Sequence, residues 1–373
     1  MTCSPDASRP AGRGRRAYID WARGIAVLVM VEAHTLDAWT RAAEHGTASF
    51  RDAQILGGFA APLFLWLAGA GVVLSASRTA ERRGSRREAV DAICRRGLEI
   101  FLLAFLFRLQ SFVLSPGSYP VLLFRVDILN VMGPAIVVSG LMWGIAGRAR
   151  STARLVLAYS AAAAAIALLT PLVRASAAVD ALPIWFQWYL RPAGDYTVFT
   201  LFPWAGFVFA GAACGALLVA APGGDAERRL HCWLGPIGLA LTAIGFYAAS
   251  LPSIYAQSSF WTTSPAFFAI RVGVMIAALS AVYAVARLFE RRGVALPLLE
   301  RLGRSSLFVY WIHVELVYGY ASWLWRGRLP LWGTAIAFGL FLLLIDRAVL
   351  ARDATVDVWR RRGPTPAPRA VAV

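Results

Sequence analysis

Lysine is absent from this chain, and acidic residues are scarce. All 37 basic residues are arginines, against only 21 acidic residues, which gives a formal net charge of +16. A charge of this size can indicate a nucleic-acid-binding protein. Here, however, the arginines are concentrated in alternate loops between apolar segments, which is the positive-inside pattern of membrane proteins. We therefore attribute the charge to membrane topology and to attraction for anionic lipids, and we predict no nucleic-acid partner.

Cysteine and histidine are also scarce, with four copies of each. Cys3, Cys94, Cys214 and Cys232 all fall in predicted inner segments or inside apolar segments. No pair faces an oxidising compartment, so we expect no disulfide bond. No CxxC or histidine-rich spacing indicates a metal site, so we predict no metal.

Long apolar segments are abundant, in a chain that is 58% hydrophobic and only 16% charged. About ten segments are long enough to cross a bilayer as helices. They are 19–40, 55–76, 98–114, 122–145, 155–172, 198–218, 233–249, 266–286, 307–323 and 331–349. The sequence thus predicts an all-α, polytopic integral membrane protein with about ten transmembrane helices. The arginine pattern and the even helix count place both termini in the cytoplasm, and we expect a multi-pass protein of the inner (cytoplasmic) cell membrane.

The predicted organisation is one membrane domain, residues 15–350, between polar tails at 1–14 and 351–373. We interpret the arginine-rich inner segment 77–96 as a topology-setting loop, or as a docking surface for an anionic cytoplasmic donor. The outer segment 174–197 contains four clustered aromatic residues. These indicate either an interfacial aromatic belt or a stacking platform for a sugar ring.

The first apolar segment carries Asp20, Arg23, Glu32, His34 and Asp37. An ionisable side chain at membrane depth costs about 2.5–3.5 kcal/mol even on the mild insertion scale. At 100° per residue, all of these except Glu32 fall on one stripe of the helix. We therefore expect the stripe to face a bundle interior or a wet cavity. Asp20 and Arg23 are one turn apart, and we interpret them as a structural pair or as the inner mouth of that cavity.

Charges on other segments lie at the depth of His34, about 9 Å from the outer end of its helix. Six residues are predicted to share this outer layer, namely His34, Asp37, Arg108, Arg125, Asp127 and Arg271. The alternatives are a buried salt-bridge network and a functional site. A functional site is favoured because a histidine is present among the charges.

His34 and Asp37 are neighbours at i,i+3, and a carboxylate beside an imidazole suits a general base. The arginines are candidates for holding an oxyanion or an acidic substrate group. In the ninth segment Ser306, Tyr310, His313 and Tyr320 share one sector of the helix. For His313, structural hydrogen bonding and a second catalytic or substrate-contacting role both stay open.

Several segments of the chain form one recognisable pattern. The pattern begins with 16–30, which includes Arg23-Gly24, followed by His34 and Asp37, and it continues in 58–69, 125–129, 202–211 and 303–313. In these segments the chain resembles the heparan-alpha-glucosaminide N-acetyltransferase catalytic-domain family. The resemblance implies a multi-helix transmembrane acyltransferase that uses cytoplasmic acetyl-coenzyme A as co-substrate and modifies an acceptor, typically a sugar, at the other face of the membrane.

The spacing Arg23-Gly24-x9-His34 also resembles the broader acyltransferase-3 family, in which that histidine is taken as catalytic. In the eukaryotic heparan enzyme asparagine stands at the position of His34, and the active histidine follows in the next outer loop. That loop offers His45 here. The resemblance therefore implies two candidates for the catalytic histidine, His34 and His45.

The first functional hypothesis is an acyltransferase. His34, oriented by Asp37, accepts a proton from the acceptor, which attacks the acyl thioester, while Arg125 or Arg271 stabilises the developing charge. An acyl-histidine intermediate and direct transfer stay open. The second hypothesis is a transporter or flippase that uses the same charges to bind ions or substrate. A third is a non-catalytic membrane partner. A homodimer is compatible with each.

Overall fold

The computed structural model describes residues 16–114, 119–146 and 151–362, and this part of the chain contains no β-strand. The described residues form thirteen α-helices joined by short connections. The helices are α1 Ala17–Trp39, α2 Ala48–Gly57, α3 Ala60–Arg83, α4 Arg86–Leu114, α5 Ile128–Ala146, α6 Thr152–Ala175, α7 Ile184–Leu190, α8 Leu201–Ala220, α9 Gly224–Ser250, α10 Pro265–Arg291, α11 Pro297–Arg304, α12 Ser306–Tyr318 and α13 Leu331–Arg362. The all-α prediction is confirmed.

Eight helical stretches in the described residues are long and apolar enough to cross a membrane, with α2 and α3 counted as one stretch. The other stretches are α4, α5, α6, α8, α9, α10 and α13. Two predicted spans are not among them: α1, which carries charges, and α12, which has only 13 residues. A polytopic membrane protein is confirmed, whereas the count of ten spans and the position of the termini stay predictions.

The outer surface of the helix bundle is apolar. On α4, Leu98, Leu102, Leu106 and Leu109 are each at least half exposed and recur every three or four residues, so they form one face. The peripheral helices α9 and α13 expose similar rows, including Ile237 and Ile336. Exposed apolar faces of this extent are expected where the surrounding medium is lipid.

Glycines allow the central helices α3 and α8 to pack backbone to backbone. A Cβ on Gly69 would overlap the Val208 carbonyl, and one on Gly211 would overlap the Trp66 carbonyl. Small residues permit close approach of this kind between membrane helices. The contact places α8, and the aromatic residues at its start, against the centre of the bundle.

A second close contact joins α1 to α11. Gly24 lies against the backbone of Leu299, and Gly303 lies against the Asp20 carbonyl. These glycines belong to the first and last of the segments that carry the family resemblance. The charged stripe of α1 is therefore held beside the start of α12.

Several predicted helix boundaries are wrong. The predicted span 55–76 begins earlier, as α2, and breaks at Gly58 and Phe59 before α3 continues to Arg83. The predicted inner loop 77–96 is almost entirely helical, because α3 and α4 extend beyond the apolar core and leave only Gly84 and Ser85 between them. Long arginine side chains at helix ends can reach water, so helices continue past the membrane there.

The predicted spans 122–145 and 307–323 also differ from the structure. Residues 120–124 form a 3-10 turn and α5 starts only at Ile128, whereas α12 ends at Tyr318. The outer segment 174–197 includes the short helix α7, and α13 continues through the first part of the predicted C-terminal tail. The predicted tail 1–14 and residues 363–373 lie outside the described residues.

We predict that Gly211→Ala lowers the thermal stability of the purified protein, because its methyl group must displace the Trp66 backbone. Overpacking of this kind costs about 1–3 kcal/mol. The matched control is Gly339→Ala on the exposed face of α13, where nothing lies within 4 Å of an added Cβ. An unfolding midpoint in detergent that falls equally in both variants, or in neither, would contradict the close α3–α8 contact.

Candidate active site

A cavity of about 1060 Å³ lies inside the bundle, enclosed mainly by α1, α3, α4, α5 and α12. It brings together all six residues of the predicted outer layer, together with Arg23 of the inner pair. The lining residues from the predicted set are Arg23, His34, Asp37, Arg108, Arg125, Asp127 and Arg271.

The cavity extends along most of α1. Arg23 and Asp37 both line it, and fourteen residues of helix separate them, which corresponds to about 21 Å. Arg23 lies toward the arginine-rich end of the bundle, where α3 ends and α4 begins. His34 and Asp37 lie toward the opposite, arginine-poor end. The same space is therefore lined by residues from both ends of the bundle.

The cavity wall is electropositive. Seven arginines and two aspartates line it, and no glutamate does. Three of these arginines, Arg23, Arg96 and Arg304, belong to the arginine-rich end. Guanidinium groups bind phosphate and carboxylate oxygens through paired N–H donors. The arrangement suits a ligand that carries negative charge.

The sequence predicted a direct contact between His34 and Asp37. In the structure the two side chains are instead connected through the hydroxyl of Tyr318. The Tyr318 hydroxyl donates to Asp37 Oδ2 at 2.7 Å and lies 3.0 Å from His34 Nδ1. A phenol has a single proton, so with Asp37 ionised, His34 Nδ1–H donates to the phenolic oxygen. This assignment leaves the lone pair of His34 on Nε2, the nitrogen suited to take a proton.

His313 lies behind His34 and does not line the cavity. It is fully buried, and the two imidazole ring centres are 5.1 Å apart. Its Nδ1–H is shared between the carbonyls of Val309 and Tyr310, each at 2.9 Å. Its Nε2 has no hydrogen-bond partner among the described residues. Any contact with the reaction would therefore be made through His34.

His45, the other catalytic candidate, lies outside the cavity. It is exposed on the connection between α1 and α2, where its ring stacks on Phe50 at 4.4 Å. Its Nε2 lies 3.3 Å from the Thr40 carbonyl. Of the two candidates, His34 is the one that the structure places at the cavity.

The outer-layer arginines differ in their partners. Arg108 forms an ion pair with Asp127, whose Oδ1 also accepts from the Ile128 backbone N–H at 2.7 Å. The Nε atoms of Arg108, Arg125 and Arg271 are all buried without an acceptor among the described residues. The ion pair with Asp127 is what distinguishes Arg108 from the other two. Arg125 lies between α4 and α5, where burial and the neighbouring Arg108 charge lower its pKa from the usual value.

The inner pair is divided between two roles. Arg23 lines the cavity, whereas Asp20 is buried behind it, 3.9 Å from Arg23 Nη1 and 4.0 Å from Arg304 Nε. Asp20 thus lies between two cavity arginines. This is the structural pair of the first interpretation, with one member also at the predicted inner mouth.

Sequence reasoning missed Tyr318, which connects His34 to Asp37. Helical periodicity instead indicated Tyr320, which is 59% exposed in the turn that follows α12. The error follows from the predicted helix end at 323. A second missed cluster lies at the arginine-rich end, where Glu227 binds Arg16 at 2.5 Å and accepts from Tyr18 at 2.8 Å. In the sequence, the feature that could have indicated this cluster was the Glu227 carboxylate shortly before the predicted span 233–249.

The described residues contain no group of three or more His, Cys, Asp or Glu side chains that could hold a metal ion. The family model described as "Heparan-alpha-glucosaminide N-acetyltransferase, catalytic" matches residues 15–248. No curated protein matches significantly.

The matched residues include α1 and most of the cavity wall, whereas Arg271, His313 and Tyr318 follow the matched part. The match covers well over half of the chain, and it confirms the resemblance carried by the segment from Arg16 to Asp37. This protein belongs to the heparan-alpha-glucosaminide N-acetyltransferase catalytic family of membrane N-acetyltransferases.

Proposed function

We propose that this protein transfers an acetyl group from cytoplasmic acetyl-coenzyme A to an amine or hydroxyl group of a saccharide acceptor at the opposite face of the membrane. The observation that carries the proposal is the position of His34 on a cavity that is lined from Arg23 to Asp37 along α1. Such a space allows a donor and an acceptor to approach one histidine from opposite sides.

The arginine-rich end of the cavity suits the donor. Arg23, Arg96 and Arg304 supply guanidinium groups that match the phosphates of coenzyme A. With those phosphates held there, the pantetheine arm extends along the cavity toward His34. The arginine pattern of the sequence assigns this end to the cytoplasm, where acetyl-coenzyme A is available.

His34 acts as the general base in this proposal. Its Nε2 takes a proton from the acceptor nitrogen or oxygen as that atom attacks the thioester carbonyl. The tetrahedral oxyanion is stabilised by the guanidinium of Arg125. The carbon–sulfur bond then breaks, and the departing thiolate takes the proton from His34. Asp37, acting through Tyr318, stabilises the imidazolium that exists between the two proton transfers.

We predict that His34→Ala lowers acetyl transfer by a factor of about 10² or more, as expected for loss of a general base. His45→Ala should retain nearly full activity, because His45 lies outside the cavity. The measurement uses purified protein in detergent with radiolabelled acetyl-coenzyme A, following both thioester consumption and label retained on the protein.

Loss of activity in His45→Ala alone would move the chemistry to the loop between α1 and α2. Label that is retained by wild type and lost in His34→Ala would indicate an acetyl-histidine intermediate. A wild-type protein that neither binds nor consumes acetyl-coenzyme A or other acyl donors would favour a transporter.

We predict that Tyr318→Phe lowers kcat by about 10-fold or more with little change in KM, because the bridge that orients His34 is lost. Asp37→Asn should have a similar effect. The double variant should be little worse than either single variant, because both changes remove one coupled network. The matched control is Tyr320→Phe, whose ring is exposed. Additive losses of activity in the double variant would show that Asp37 and Tyr318 act independently, which would contradict the coupled network.

We predict that Arg96→Gln raises the KM for acetyl-coenzyme A several-fold and leaves the KM for S-acetyl-pantetheine unchanged, since the smaller donor lacks the nucleotide phosphates. A several-fold effect is expected because the Arg96 side chain is 52% exposed and already pairs with Glu99, so its contribution is smaller than that of a buried charge-assisted hydrogen bond. Arg82→Gln, at the exposed end of α3 and away from the cavity, is the control. Equal effects on both donors would contradict phosphate binding at this end.

A further inference from the structure

Three cavity arginines at the arginine-poor end, Arg125, Arg271 and Arg326, form no ion pair among the described residues, and of these Arg326 is exposed. Arg108 is neutralised by Asp127, and Asp37 accepts from Tyr318. Among the described residues, Arg125 and Arg271 form no ion pair, and the Nε of each is buried without an acceptor. Buried donors that are left unpaired are costly, so native structures usually satisfy them.

Aromatic rings hold Arg271 in place. Its guanidinium carbon lies 4.1 Å from the centre of the Phe267 ring and 5.9 Å from that of Trp204. One of its terminal nitrogens would lie 3.7 Å from a Cβ placed on Gly58, another residue of the cavity wall. Stacking orients the guanidinium plane but leaves its in-plane N–H donors unused. The side chain is thus positioned for a ligand and is not neutralised by the protein.

Backbone hydrogen bonds of the residue next to Arg125 fix its position at the same end of the cavity. Its neighbour Val126 donates to the Tyr196 carbonyl at 2.9 Å and accepts from Val198 N–H at 3.0 Å. The segment 196–198 leads directly into α8, whose Trp204 contacts Arg271. Both arginines line the one cavity.

The depth of Arg271 distinguishes it from the arginines assigned to the donor. Arg271 lies six residues from the start of α10 and His34 five residues from the end of α1, so each is about 8–9 Å from its helix end. A donor with its thioester at His34 has its phosphates a whole pantetheine arm away, toward Arg23. An anion at Arg271 therefore comes from the other substrate.

We propose that Arg271 and Arg125 form a subsite for an oxyanionic group of the acceptor, such as a carboxylate, sulfate or phosphate. The subsite selects acidic acceptors over neutral ones and positions the acceptor amine or hydroxyl beside His34. This inference rests on the proposed acetyl transfer, in which His34 marks the reacting end of the cavity.

The first experiment measures binding without a donor and so does not depend on catalysis. Purified full-length protein in lipid nanodiscs is titrated with glucosamine, glucosamine 6-sulfate and glucosamine 6-phosphate, with calorimetric detection. We expect wild type to bind an acidic sugar at least about tenfold more tightly than glucosamine, and Arg271→Gln and Arg125→Gln to lose that preference. The matched control is Arg51→Gln, an exposed arginine at the same end of the bundle.

Equal affinity of wild type for neutral and acidic sugars, or a preference that survives in both arginine variants, would overturn the subsite. If no acetyl transfer is measured while the acidic sugars still bind through Arg271, the proposed reaction fails and the subsite stands.

The second experiment separates the acceptor from the donor as the source of the anion. Steady-state acetyl transfer is measured in wild type and Arg271→Gln with both sugars and with both acetyl-coenzyme A and S-acetyl-pantetheine. We expect the variant to raise KM about tenfold for the acidic sugar only, with either donor. A KM increase that is confined to acetyl-coenzyme A and absent with S-acetyl-pantetheine would assign Arg271 to the donor phosphates and overturn the proposal.

Discussion

The cost of burying charge in an apolar bundle is the constraint on which the rest of the structure depends. A helix that carries Asp20, Arg23, Glu32, His34 and Asp37 cannot face lipid with its charged stripe. The other helices surround that stripe and leave a cavity against it. Their outer faces are leucine-rich, as on α4, and their inner faces supply further charged groups. The cavity that we assign to the reaction is therefore the region that Arg23, His34 and Asp37 of α1 face.

Some of the charged side chains around the cavity form ion pairs with one another, and others do not. This difference is informative about function. The Arg108–Asp127 pair and the Asp20–Arg23–Arg304 group satisfy one another and stabilise the helix arrangement. Arg271 is held by aromatic rings rather than by a carboxylate, whereas Arg125 lies near Asp127 and Asp195 but forms no ion pair with them among the described residues. A cation that the protein has positioned but not neutralised is a natural binding group for an anionic substrate or for a developing oxyanion. At the arginine-poor end, the arginines that we assign to substrate are thus distinguished from the structural Arg108 by their partners, not by residue type.

Close helix contacts set the geometry of the proposed site. The Gly24–Leu299 and Gly303–Asp20 contacts bring α11 against α1, and α12 follows directly, with Tyr318 at its end. Without these glycines the backbones of α1 and α11 could not approach as closely as they do. Contacts distant from His34 thus contribute to the placement of Tyr318 beside it.

The sequence alone determined the class of the protein, its family and the stripe on α1. Hydropathy, arginine alternation and helical periodicity are local properties, and a stripe of charges follows directly from 3.6 residues per turn. It also identified six residues that do line one cavity. The tertiary structure decided what local patterns cannot encode: that Tyr318 and not Tyr320 contacts His34, that His45 lies outside the cavity, and that Arg108 is neutralised whereas Arg271 is not. These outcomes depend on where helices end and how they cross. Both are set by contacts between residues distant in sequence, such as the 284 positions that separate His34 from Tyr318.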